Sequence, residues 1–308
     1  MSADFVAEFL QLSLVPLVVG TLAAVICALL GNFLVLRRQS LVGDAVSHVA
    51  LPGIVAAFIL TGTISTIPMM LGAAGSAIVT VALIELVRRV GRIEPGAAMG
   101  VVFTAVFAAG VLALEQTDTS TVHLDVEHAL YGNLESLIWL AGDRWGALLD
   151  PAALAELPPA LPRLAVVFVV VAAFLLAFWK ELVLGTFDPG FARAVGARPG
   201  LVGVALVVLV AVAAVAAFDA VGSIIVIAMF ICPAAAARLM TDRLLPQLAW
   251  SVGFAVVSAV AGYVLAGYGP LWFGFPASVS AAGMIATVSG LILLVACLAA
   301  PRRRGARA

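Results

Sequence analysis

The sequence predicts an all-α, polytopic transmembrane helical bundle, and composition and run length are the observations that predict it. Hydrophobic residues make up 64% of the 308 residues and charged residues only 11%, whereas a soluble domain carries about 25% charged residues. The mean hydropathy is +1.20. The apolar runs last about 20 residues and lack the strict alternation of a barrel strand. A multi-pass helical protein embedded in a lipid bilayer is therefore expected.

About nine apolar segments are long enough to cross the bilayer. Their approximate limits are 14–36, 40–61, 67–87, 97–115, 163–183, 201–218, 220–238, 247–267 and 278–300. Gly and Pro interrupt the segments at 40–61 and 201–238, which loosens a helix at those points. Eight full spans plus one broken helix fit the pattern as well as nine full spans.

The basic residues predict the orientation of the chain, because Lys and Arg accumulate in cytoplasmic loops. With the N-terminus outside and the C-terminus inside, only Arg144 and Arg163 fall on the outer side, while most acidic residues do. The first residues lack the basic region and cleavage site of a signal peptide, so no cleaved leader is expected. The expected location is the bacterial cytoplasmic (inner) membrane.

Asp44 and His48 form the most informative pair in the chain. They lie four residues apart in an apolar segment, so a helix would place them on one face. If that helix starts near Arg38, His48 lies roughly 15 Å along it, about the midplane of a ~30 Å hydrocarbon core. Ionisable groups at that depth usually mark an ion path, and an oxygen with a nitrogen ligand suits a divalent transition metal. The alternative is a hydrogen bond that helps two helices to pack.

The long polar region 116–162 is predicted to be an external loop, with Trp139 and Trp145 as anchors at the membrane interface. Within it lie four groups that could collect metal ions: His123, Asp125, Glu127 and His128. A solvated face of an outer loop is the more ordinary interpretation of that cluster. Asp219, at the predicted outer end of a span, either lines the mouth of a path or faces lipid headgroups.

The loop 184–200 is predicted to be cytoplasmic and to contain a short helix. Asp188 is placed to cap this helix and Gly196 to end it. Phe187 and Phe191, four residues apart, give the helix an aromatic face. Such a helix would fit a groove on a motor subunit, although a loop helix packing against its own membrane domain would show the same pattern.

Several motifs, taken in their order along the chain, resemble those of permease subunits of metal-type ABC importers, the family that takes up zinc, manganese or iron. Residues 37–53 contain the basic pair, Gly-Asp-Ala, Ser-His and Leu-Pro-Gly, and residues 187–196 contain Phe-Asp-Pro. Residues 221–238 end in Pro-Ala-Ala-x-x-Arg, and residues 131–133 are Tyr-Gly-Asn. The resemblance covers most of the chain and implies that residues 1–308 form a single transmembrane permease domain.

The resemblance also implies the roles of individual residues. Asp44 and His48 become candidate ligands on the path of a transported divalent metal, with no tightly bound cofactor. The residues implied to couple transport to an ATPase are Phe187, Asp188, Phe191, Ala192 and Gly196. Gly190 departs from the family pattern, where an acidic residue is expected. The low histidine content, three residues in all, favours manganese over zinc.

The implied partners are separate ABC ATPase subunits, an extracytoplasmic metal-binding protein and a second permease chain, identical or related. The chain itself holds one lysine, Lys180, and no Gly-x-x-x-x-Gly-Lys phosphate loop. We therefore expect a transport permease rather than an enzyme, with ATP hydrolysis on another polypeptide, and no nucleic-acid partner.

Two other function classes remain open at this point. In a proton-coupled secondary metal transporter, Asp44 and His48 would relay protons, but the loop 184–200 would have no role. In an intramembrane aspartyl protease, Asp44 and Asp219 would share acid and base roles. The protease is poorly supported, because the two carboxylates are predicted at opposite membrane depths.

Overall fold

A computed structural model describes residues 3–40, 42–62, 66–116, 134–272, 274 and 279–300. Every regular element within these ranges is a helix. Nine helices of this described part are long and apolar enough to cross a membrane. The predicted all-α, multi-pass fold class is confirmed.

The described helices follow one another in chain order. Their bounds are α1 Ala3–Glu8, continued by a π-helix Phe9–Leu14 into α2 Val15–Leu36, α3 Val42–Thr61, α4 Thr66–Gly91, α5 Pro95–Gln116, α6 Pro151–Ala155, α7 Ala160–Ala177, α8 Trp179–Phe187, α9 Pro189–Ala194, α10 Pro199–Val221, α11 Ser223–Met240, α12 Leu244–Trp272 and α13 Ala281–Ala299. Two 3-10 helices, Leu134–Ser136 and Trp145–Leu149, precede α6.

The two segments with predicted interruptions behave differently. The segment at 40–61 forms one helix, α3, with Pro52 inside it. The segment at 201–238 is divided at Gly222, where φ is 80° and ψ is 163°. Those angles are accessible to glycine at little cost but not to other residues, so Gly222 separates α10 from α11.

The described chain divides into two compact units. Unit 1 comprises Met1–Asn32, Glu127–Val170 and Ala217–Ala308, and unit 2 comprises Phe33–Val126 and Val171–Ala216. Each unit is discontinuous in sequence, so neither corresponds to one half of the chain. The interpretation of residues 1–308 as a single permease domain stays a prediction.

In unit 1, small residues and a buried amide pair hold the helices together. A Cβ on Gly31 would overlap the carbonyl of Phe230, so α2 and α11 are in backbone contact at this glycine. Close by on α2, Asn32 Oδ1 accepts a hydrogen bond from Gln247 Nε2 on α12, at 2.9 Å, and both side chains are fully buried. Polar side chains of this kind link helices where water is absent.

The region before α6 is more ordered than the predicted loop. Trp139 is fully buried and its Nε1 donates to the carbonyl of Ala153 at 2.9 Å, so its predicted role as an interfacial anchor is wrong. The indole packs into the loop's own core because its N–H finds a partner there. Trp145 is 53% exposed. Glu135 Oε1 accepts from the backbone N–H of Ala281 at the start of α13, at 2.7 Å.

In unit 2, glycines bring α4 and α5 against α3. A Cβ on Gly72 would overlap the carbonyl of Gly53, so α3 and α4 touch through their backbones. On another side of α3, Gly110 of α5 lies against the ring of Pro52. Both contacts require the absence of a side chain. Helix α3, which carries Asp44 and His48, is therefore fixed by two neighbouring helices.

Candidate functional site

Asp44 and His48 share one face of α3, as predicted. His48 Nε2 lies 3.6 Å from Asp44 Oδ1, and the two side chains are 44% and 37% exposed, respectively. This separation allows an ion pair when the imidazole is protonated but exceeds an ordinary hydrogen bond. Both groups are accessible and aimed at overlapping space. The structure thus brings the pair together, and its role as a metal site stays a prediction.

The helix that carries this pair starts later than the position near Arg38 from which the depth of the pair was predicted, and its depth in a bilayer stays a prediction. Arg38 does not begin α3; it ends α2 in the left-handed conformation, with φ of 57°, and the N–H of Gln39 donates back to the carbonyl of Leu34. This is a helix C-terminal motif usually occupied by glycine. Since α3 begins at Val42, His48 lies only about 9 Å along it, nearer its first end than its middle.

Two aromatic rings of α5 hold the imidazole of His48. Phe103 stacks on it with ring centroids 5.8 Å apart and an interplanar angle of 19°, and Phe107 meets it edge-on at 5.7 Å. The sequence analysis missed both residues. The available signal was their four-residue spacing on one helix, which by itself is typical of ordinary core packing.

The remaining candidate metal ligands are not assembled around this pair. His123, Asp125, Glu127 and His128 lie outside the described residues. Among the residues that are described, no group of three or more His, Cys, Asp and Glu side chains could hold a metal ion. Asp44 and His48 supply two ligands, fewer than the four to six that most divalent metals take in proteins.

Asp219, the remaining candidate ligand, is engaged elsewhere in unit 1. It forms an ion pair and a hydrogen bond with Arg163, whose side chain is 20% exposed. A guanidinium at hydrogen-bonding distance neutralises the carboxylate and competes with a cation for its oxygens. In the sequence, Arg163 is one of only two basic residues on the predicted outer side of the membrane, where Asp219 was also predicted to lie. That scarcity of basic partners could have indicated the pairing.

The short helix predicted in 184–200 is present as α9, with the predicted caps. Asp188 Oδ1 accepts from the backbone N–H of Phe191 at 2.8 Å, and Pro189 occupies the first helical position. At the other end Gly196 has φ of 81°, and the N–H of Ala197 donates to the carbonyl of Ala192 at 2.9 Å. These bonds satisfy both ends of a helix only six residues long.

One face of this segment is apolar and exposed. Phe187, Phe191 and Val195 are 54%, 53% and 52% exposed, whereas Ala192 is fully buried. Phe187 ends α8, Phe191 lies in α9 and Val195 directly follows α9; these three exposed side chains are called here the α9 ridge. Asp188 is not helical, with φ of -143° and ψ of 84°, so Phe187 lies outside the short helix whose aromatic face it was predicted to share. The sequence analysis named the two phenylalanines but missed Val195, which follows Phe191 by four residues.

A hydrogen bond ties this segment to the end of α2. Arg37 Nε donates to Thr186 Oγ1 at 3.0 Å across 149 residues of sequence. Thr186 directly precedes the α9 ridge, and Arg37 precedes α3 by five residues. Nearby, Phe33 meets Trp179 edge-on with centroids 6.4 Å apart. The segment with the α9 ridge and the approach to α3 are therefore joined within unit 2.

Comparison with known proteins decides the family. The model of the ABC 3 transport family matches residues 8–138 and 159–300, which is most of the chain. The chain belongs to the ABC 3 transport family. The resemblance drawn from the sequence motifs is confirmed, and the ABC 3 chain is a membrane-spanning transport subunit.

Relatives of this ABC 3 chain cover nearly all of it. It is 37% identical over 282 residues to the manganese transport system membrane protein MntD of Bacillus subtilis, covering 92% of the chain and 90% of the relative. It is 34% identical over 286 residues to the zinc transport system membrane protein TroD of Treponema pallidum, covering 92% of the chain and 73% of the relative.

Solved structures share the fold. PsaBC from Streptococcus pneumoniae, solved in complex with Fab, is similar with a TM-score of 0.74 and 24% identity, covering 99% of the chain and 98% of that one. An inward-facing, metal-chelate type ABC transporter has a TM-score of 0.69 at 15% identity, covering 97% and 89% of the two chains. These similarities support the helical architecture of the ABC 3 permease.

Proposed function

We propose that this chain is the membrane-spanning permease subunit of an ATP-driven importer for divalent transition metal ions. The observation that carries the proposal is the Asp44/His48 pair on α3, with one oxygen and one nitrogen ligand on a shared face. Such a donor set suits manganese, iron or zinc. Relatives named as manganese and zinc transport proteins support the same substrate class, and we place manganese first.

The two ligands form a weak, transient binding site rather than a site that retains the metal ion. A metal ion released on the outer side sheds part of its water and is held briefly by Asp44 and His48, with further groups completing its coordination. Phe103 and Phe107 restrict the imidazole so that it does not rotate away. Because two ligands bind weakly, the ion leaves readily when the opposite side opens by alternating access.

The energy for this cycle comes from separate ABC ATPase subunits. The α9 ridge docks into a groove on such a subunit, because its three exposed apolar side chains, on and beside a short helix, suit an apolar groove. The chain works with a second permease chain, which contributes missing ligands, and with an extracytoplasmic metal-binding protein. It lies in the bacterial cytoplasmic membrane with its N-terminus outside and the α9 ridge in the cytoplasm.

Uptake by the reconstituted complex tests the proposal. Proteoliposomes containing the permease and its ATPase should accumulate Mn²⁺ when ATP and loaded binding protein are present. Dissipating the proton gradient should leave that uptake unchanged. Uptake that persists without ATP and collapses with the proton gradient would instead identify a secondary transporter.

A further inference from the structure

A large cavity lies inside unit 2, at the end where α2 and α4 finish and where α3 and α10 begin. Its volume is about 840 Å³. The segment with the α9 ridge contributes to its wall through Thr186, Pro189 and Arg193. The cavity is within the size range of sites that hold small organic ligands.

The charged lining of this cavity is strongly basic. Five guanidinium groups line it, those of Arg37, Arg38, Arg88, Arg193 and Arg198, against one carboxylate, that of Glu85. Five positive charges less one negative charge leave an excess of four. Arg88 already pairs with Glu85 at 2.8 Å. A divalent cation would be repelled here, so the cavity is not part of the proposed metal path.

Among these arginines, Arg37 gives the strongest indication of an anion site, because part of its guanidinium is buried without an acceptor among the described residues. Its Nε donates to Thr186, but its Nη2 is buried and meets no hydrogen-bond acceptor in the described part of the chain. The guanidinium also packs closely against α10 at Gly203, where an added Cβ would lie 3.0 Å from Nη1. A buried charged donor without an acceptor is costly. An anion in the adjoining cavity would compensate its charge.

Most of the remaining wall of the cavity is apolar. Helices α3, α4, α5 and α10 contribute Val49, Val81, Met99, Val204 and Val207. The arginines and these side chains together make an amphipathic lining, which suits a ligand with an anionic head and a hydrocarbon chain. A small hydrated anion would leave the apolar wall without a partner.

We propose that this cavity binds an anionic phospholipid, with its phosphodiester against the guanidinium groups and an acyl chain along the apolar wall. The planar guanidinium matches phosphate oxygens with paired N–H donors. Basic pockets between membrane helices are suited to acidic lipid headgroups. Through the bond from Arg37 to Thr186, the bound lipid supports the segment that carries the α9 ridge. This inference does not depend on which metal the permease carries.

Lipid-dependent stability of the purified complex tests the proposal. In nanodiscs of phosphatidylcholine, adding phosphatidylglycerol should raise the Tm of the wild-type complex. Arg37→Gln and Arg198→Gln should each raise the phosphatidylglycerol content needed for half of that shift by about tenfold, the loss expected for one charged hydrogen bond. Arg243→Gln is the matched control, because Arg243 is exposed and does not line the cavity; it should behave as wild type.

Two further arms separate the sources of the effect. Native mass spectrometry should detect retained phosphatidylglycerol on the wild type and on Arg243→Gln, and less on Arg198→Gln, whose exposed side chain makes misfolding a poor explanation for a loss. Inorganic phosphate at a matched concentration should give no comparable shift in Tm. An equal phosphatidylglycerol effect in all four proteins, no effect in any, or full stabilisation by inorganic phosphate would overturn the proposal.

Discussion

Arg37 Nε and Thr186 Oγ1 lie 3.0 Å apart and connect the end of α2 to the segment that begins the α9 ridge. Arg37 also stands just before α3, which carries Asp44 and His48. Burial lowers the pKa of the Arg37 guanidinium, yet arginine is the most basic of the side chains, so the group remains charged at neutral pH. The link is a charge-assisted hydrogen bond, about 1.5–3 kcal/mol in proteins.

Removing the Thr186 hydroxyl is predicted to uncouple transport partly from ATP hydrolysis. In Thr186→Val, Arg37 loses its acceptor while the side-chain shape is kept, so metal uptake per ATP hydrolysed should fall several-fold. Thr186→Ser retains the hydroxyl and is the matched control. Parallel assays of Mn²⁺ uptake and phosphate release measure the ratio, and equal ratios for the two variants would refute a coupling role for this bond.

Truncation of the α9 ridge is predicted to weaken ATPase docking. Each of Phe187→Ala and Phe191→Ala should cost about 2 kcal/mol of binding, or about thirtyfold in Kd. Val195→Ala should act in the same direction with a smaller effect, since valine is smaller. Leu245→Ala alters an exposed apolar residue outside the ridge, 66% exposed, and should leave Kd unchanged. Co-purification and titration of the ATPase measure these effects; a Leu245→Ala loss equal to the ridge losses would mean that docking is not specific to the ridge.

The Asp188 cap is predicted to act on the same interface without contacting the partner. Asp188→Ala removes the acceptor of the Phe191 N–H and should destabilise α9 by about 1 kcal/mol. ATPase affinity should therefore drop less than in Phe191→Ala, and Asp188→Asn, which keeps a side-chain acceptor, should recover most of it. Asn and Ala variants with equal affinity would show that the cap has no part in docking.

Backbone contact between α3 and α4 is predicted to be essential for stability. Gly72→Ala places a methyl group on the carbonyl of Gly53 and should cost at least about 1–3 kcal/mol, as overpacking does. Gly75→Ala, on the same helix with open space around it, should be neutral. Thermal unfolding in detergent compares the two, and similar Tm values would contradict the close packing of these helices.

Much of this architecture could be predicted from sequence, because hydrophobic runs and local capping act over a few residues. The nine apolar segments and the caps of α9 at Asp188 and Gly196 depend only on neighbouring residues, and the structure confirms them. The segment limit at residue 40 lies two residues before the start of α3 at Val42, but a start near Arg38 was wrong, since Arg38 adopts a left-handed conformation that glycine favours. Because α3 begins at Val42 rather than near Arg38, His48 lies closer to the first end of its helix than predicted.

Long-range partners account for the rest. Trp139 lies buried against Ala153 rather than at an interface, and Asp219 pairs with Arg163, 56 residues away. Phe103 and Phe107 reach His48 only because α5 packs on α3. Such pairings depend on how helices meet in space, and no residue spacing along the chain encodes them.

The rings around His48 are predicted to tune metal affinity. Phe103→Leu keeps an apolar side chain but removes stacking worth about 1 kcal/mol, so the imidazole should gain freedom and Mn²⁺ affinity should fall about fivefold. Phe174→Leu, in another aromatic pair, is the control. Titration of Mn²⁺ into the purified complex measures both, and an unchanged affinity in Phe103→Leu would remove the positioning role.

Mn²⁺ uptake by proteoliposomes with substituted Asp44 and His48 tests the central claim most directly. Asp44→Ala and His48→Ala should each lower the initial rate more than about tenfold, since loss of even supporting groups costs metal sites that much. Assembly with the ATPase and basal hydrolysis should be retained. Asp143→Ala, an exposed carboxylate in unit 1, should transport as wild type. Normal uptake by both the Asp44 and the His48 variants would contradict the account.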